Sequence, residues 1–157
     1  MQLARAVAAT VAMATSAVLG ACAVEPAPLD VPSPSSQGFA DRVYPILLAQ
    51  CAFPACHGSP DRFFAVYGPG RTRFDPATEP YAPATAEELA LSYRRTTSML
   101  VWPDGARRSP LLRKPLPVEA GGAGHEGNDG WGQAPFTGED DPRWITLATW
   151  AVGEDGL

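Results

Sequence analysis

The chain has 157 residues, with 17 acidic against 12 basic side chains and a formal net charge of −5. That length bounds it to about one small domain, and the acidic balance leaves no electrostatic footprint for nucleic acid. No Ser-His-Asp arrangement, nucleotide loop or paired-carboxylate site stands out, so the chain does not read as an enzyme.

From the N-terminus, Arg5 gives a positive start and residues 6–19 form an apolar run too short to span a bilayer, which marks a targeting segment. Its end, Leu19-Gly20-Ala21-Cys22, resembles the lipobox of bacterial lipoproteins. That resemblance implies cleavage before Cys22 and lipidation of Cys22, which anchors the exported protein to a membrane. Ala23, in place of Asp, implies an outer-membrane lipoprotein facing the periplasm or cell surface. Residues 22–37 are rich in Pro and Ser and read as an extended tether. The expected organisation is a signal peptide over 1–21, the tether over 22–37 and one domain over 38–157.

Phe39, Val43 and Leu47 recur at helical spacing between Gly38 and Gln50, with Ile46 widening the stripe. Ser36 is the expected N-cap, and Pro45 predicts a kink or restart. The helix delivers the chain to Cys51-Ala52-Phe53-Pro54-Ala55-Cys56-His57, a C-x-x-x-x-C-H run. The usual c-type haem attachment signature is C-x-x-C-H, in which two thiols form thioethers and the adjacent His ligates the iron. Here the cysteines stand two residues further apart. After lipidation of Cys22, Cys51 and Cys56 are the remaining thiols.

Residues 57–84 are punctuated by Gly and Pro and read as a long irregular loop, with one helical turn near Arg62 to Tyr67. Phe63, Phe64, Tyr67, Phe74 and Tyr81 are expected to cover a haem face or a satellite core. Thr85 and Glu88 form a capping box for a helix to about Thr97, with Leu89, Tyr93 and Leu100 on its buried side. A turn at residues 102–105 and the short apolar element at residues 109–116 follow. Arg107, Arg108, Arg113 and Lys114 read as a solvated basic loop that could also pair with carboxylates. A glycine-dense run at residues 121–130 carries His125. Glycine lets such a loop approach a ligand closely. Asp141 and Pro142 open a last helix with Trp144, Leu147, Ala148 and Ala151 as its apolar stripe, ended by Gly153.

Val43-Tyr44-Pro45-Ile46-Leu47, Cys56-His57-Gly58, the run from Ser109 to Leu116, His125 and Trp150 together resemble the haem-binding lipoproteins of myxobacteria and planctomycetes. The resemblance implies a mainly α, small cytochrome c-like domain with long Gly/Pro-rich loops. It implies covalent haem c and electron transfer with periplasmic or membrane redox partner proteins. In that reading Cys51 and Cys56 hold the haem, His57 is the proximal ligand and His125 the distal one, with Met99 the alternative. Two other readings stand beside it. A Cys51–Cys56 disulfide would staple a cofactor-free lipoprotein module in an oxidising compartment. Cys51, Cys56, His57 and His125 could instead form a Cys2His2 zinc site.

Overall fold

The computed structural model describes residues 34–101, 106–125 and 134–153, all within the compact unit Val31–Leu157. The expected signal peptide with Cys22, most of the tether, the turn at 102–105 and the glycine run beyond His125 lie outside the described residues. The described fold is mainly helical, with no strand among the described residues. No helix there is long and apolar enough to cross a membrane.

Helix α1 (Ser36–Gly38) runs directly into a π-helical turn (Phe39–Val43) and then helix α2 (Tyr44–Gln50). The N-cap is Ser35 rather than Ser36; its Oγ accepts the Gly38 N–H at 2.9 Å. A new helix starts beside Pro45 as expected: Pro45 lies in the first turn of α2, the preceding turn widens, and the Tyr44 N–H bonds the Phe39 carbonyl five residues back. Proline has no N–H and its ring crowds the carbonyl four residues behind, so a wider turn just before it relieves the clash. Phe39, Val43 and Leu47 are buried as the stripe requires.

Helix α3 (Ala86–Thr97) has the full reciprocal capping box: Thr85 Oγ1 accepts the Glu88 N–H and Glu88 accepts the Thr85 N–H. Its fully buried face differs from the expected one. Glu88, Ser92 and Thr96 are buried, whereas Leu89 and Tyr93 are only partly so. Burial of the Glu88 carboxylate is possible because Arg73 meets it with two nitrogens, each at 2.8 Å. Burial alone would raise the Glu88 carboxyl, but the bonds from Arg73 and from the Thr85 and Phe74 backbone outweigh it and hold it below its usual range. The rest of the Arg73 guanidinium bonds the carbonyls of Glu79, Ala82 and Pro83. One buried cation therefore organises the Pro-rich approach to α3, and the polar stripe is satisfied rather than apolar.

A 3₁₀ turn (Ala106–Arg108), helix α4 (Pro110–Arg113) and a second 3₁₀ turn (Val118–Ala120) follow. Helix α5 (Pro142–Ala151) starts as its sequence directs, with Asp141 accepting the Arg143 N–H and Pro142 in the first turn. It ends at Gly153, whose φ of 79° lies in the left-handed region. Trp144, Leu147, Ala148, Trp150 and Ala151 are all buried. Trp150 donates its indole N–H to the Ser35 carbonyl at 2.8 Å, and its ring lies 5.6 Å from that of Phe39. The last helix is thus fixed against the first helical stretch. Leu112, Leu116 and Phe136 complete a core whose large side chains each gain roughly 1.5–3 kcal/mol from burial.

The helical turn expected near Arg62 to Tyr67 is absent; those residues form bends and extended chain. Phe64 and Tyr67 are buried, but Phe63, Phe74 and Tyr81 are exposed. Phe63 and Phe64 line a cavity and Tyr67 is buried, whereas Phe74 and Tyr81 do not line that cavity, so the expected aromatic cover holds for part of the set.

Candidate functional site

The segment after α2 folds on itself. The Cys51 carbonyl accepts the His57 N–H at 3.0 Å, and the Phe53 carbonyl accepts the N–H groups of Cys56 and Gly58 at 2.8 and 2.9 Å. The two extra residues between the cysteines are taken up inside this turn. Gly58 is a steric necessity: a Cβ there would sit 2.3 Å from the Ala52 carbonyl oxygen. Arg71 lies over the Phe53 ring at 4.2 Å and donates to the Leu48 carbonyl, which pins the turn to the end of α2.

Cys51 and Cys56 are free thiols, both half-buried, on the wall of one cavity of about 360 Å³. This lies within the range of small-molecule and cofactor pockets, roughly 300–1,000 Å³. Burial pushes the Cys51 thiol up to about 12, and the neighbouring Cys56 adds to the shift. A thiol so protonated is a poor partner in thiol–disulfide exchange, which proceeds through the thiolate.

His57 is held in one tautomer. Its Nδ1 lies 2.9 Å from the Phe64 carbonyl, an acceptor only, so Nδ1 carries the proton and Nε2 keeps its lone pair. The same arrangement orients imidazoles that ligate metals. The Val66 N–H bonds the His57 carbonyl, and the Phe64 ring packs at 4.7 Å from the imidazole. Burial lowers the His57 pKa, against the pull of the Phe64 hydrogen bond, and His125 lowers it further. Burial thus disfavours the charged form of the ring.

His125 reaches the same cavity from the far side of the chain. The Ala123 N–H bonds the Arg113 carbonyl and the Gly122 N–H bonds the Pro117 carbonyl, folding the loop back. Gly122 admits no side chain, since a Cβ would meet the Leu116 carbonyl oxygen at 2.1 Å. The His57 and His125 ring centroids lie 5.9 Å apart at 72°.

Met99, just beyond the end of α3, also lines the cavity. All five cavity residues singled out by sequence are thus brought together: Cys51, Cys56, His57, Met99 and His125. Leu47, Phe64, Leu111, Phe136 and Leu147 make most of the wall apolar. Sequence reasoning missed Arg62, which lines the mouth with Lys114, whereas Arg107 lies over the Trp144 ring at 5.5 Å. No periodic or motif signal marks Arg62, because it sits in an irregular loop.

Among the described residues no group of three or more His, Cys, Asp or Glu side chains is arranged to hold a metal ion. Compared with family models, curated proteins and solved structures, the chain matches none.

Proposed function

We propose that the protein is a lipid-anchored monohaem c-type cytochrome that carries electrons in the cell envelope. The observation that carries this reading is His57. Its Nδ1–H is tied to the Phe64 carbonyl, and it lines an apolar cavity shared by two free thiols and a second imidazole. The donor set fits a covalently held haem: Cys51 and Cys56 would attach it, His57 would be the proximal ligand and His125 the distal one. Such a group supplies one-electron exchange at its iron. The chain's part is to orient His57, disfavour its charged form and exclude water with Leu47, Leu111, Phe136 and Leu147. An apolar shell of this kind limits solvent access and tunes the potential.

The packing of α5 against the first helical stretch through Trp150, Phe39 and Ser35 supports a cytochrome c-like arrangement. The test is expression of the exported chain with a haem-maturation system, followed by intact mass and a spectrum. One covalent haem is expected, lost in the Cys51→Ala/Cys56→Ala double variant. A mass without the haem increment, together with a Cys51–Cys56 disulfide in peptide mapping, refutes the reading.

A further inference from the structure

The chain is acidic overall, yet the mouth of the cavity is not. Arg62 and Phe63 line both the cavity and a shallow depression beside it. Leu91, Arg94 and Arg95 from one face of α3 complete that depression, with Asp61 its single acid. Arg62 and Arg94 are exposed, and none of the three arginines forms an ion pair among the described residues. Arg95 donates to the Arg62 carbonyl, which holds the loop and α3 together. Phe63, at 72% exposure, stands at the boundary between the depression and the cavity.

We infer that this face docks a protein partner presenting acidic side chains around an apolar centre. Arginine and aromatic residues are what buried interface centres favour, and charge complementarity sets orientation and encounter rate. An excess of three arginines over one acid, in a chain of net charge −5, is a local field opposed to the global one. A partner docked here would lie against Phe63, which also lines the cavity proposed to hold the haem. Its role in electron exchange rests on the haem reading, but the docking does not.

The test is therefore made on the folded protein whatever its haem content, which is recorded separately by absorbance. Isotope-labelled protein is titrated with a synthetic peptide of Glu and Asp around one Phe, and amide shifts are mapped. Shifts are expected at residues 60–63 and 91–98. Binding should weaken about tenfold in the Arg62→Gln/Arg94→Gln/Arg95→Gln variant, whose fold is checked by circular dichroism, and in Phe63→Ser. It should fade near 0.5 M NaCl, where the screening length is roughly 4 Å. Shifts centred elsewhere, no binding, or equal binding of a Lys-rich peptide overturn the inference. So does preferential binding of the same face to phosphatidylglycerol vesicles over the peptide, which would make it a membrane-facing patch.

Discussion

Replacing His125 or Met99 by alanine separates the two groups that could occupy the distal side. Both line the cavity, and the His125 ring lies 5.9 Å from that of His57. Under the haem reading, His125→Ala is expected to lose the low-spin oxidised spectrum and Met99→Ala to keep it. A thioether-to-iron band at the red end that disappears only in Met99→Ala would reverse the assignment. Imidazole in place of thioether also leaves a lower reduction potential. The lowered pKa of His57 has a stability consequence with a definite sign. Its folded pKa lies below the ordinary 6.5, so its contribution is present above that value and is lost as pH falls through the folded value.

At the scale of single elements, the first turn or cap of each of the two longest described helices holds a carboxylate paired with an arginine. Asp141 accepts from the Arg143 backbone and guanidinium, and that side-chain bond holds its carboxyl down from 3.8 to about 2. Stability from this group is present above pH ~4 and is lost as pH falls through about 2. Asp141→Asn keeps a capable N-cap and removes the ion pair. The variant should be less stable by about 1–2 kcal/mol at pH 7, discounted because Arg143 is partly exposed. The gap should close in denaturation curves near pH 2; a gap that stays constant with pH would show that the ion pair contributes nothing. At α3, Glu88→Gln leaves the buried Arg73 guanidinium without its carboxylate. A loss of roughly 3–5 kcal/mol is expected from thermal or urea unfolding, as for other broken buried pairs. A loss under about 1 kcal/mol would mean that Arg73 keeps its carbonyl partners without strain.

For the molecule as a whole, the expected anchor is the remaining test. Cys22 lies outside the described residues, so fractionation decides it. The native chain should partition with membranes and Cys22→Ser should be released, because acyl chains contribute about 0.8 kcal/mol per buried methylene. Equal membrane association in the variant would refute the lipoprotein assignment. How much could be read in advance follows from the range of each signal. The capping box at Thr85, the start at Asp141-Pro142, the stop at Gly153 and the Phe39-Val43-Leu47 stripe depend on bonds and spacings within a few residues, and these appear as expected. The Cys56-His57 pair is likewise local chemistry, and its residue types alone directed attention to a segment that lines the cavity. The partnership of His57 with His125 crosses 68 positions. It depends on Gly122 packing against Leu116 and on the loop returning to the Arg113 carbonyl. The buried Arg73–Glu88 pair, the exposure of Phe63 and Tyr81 and the basic rim of an acidic chain are of the same kind. Each is settled by which long-range neighbours desolvate or neutralise a side chain, and no periodicity in the sequence carries that information.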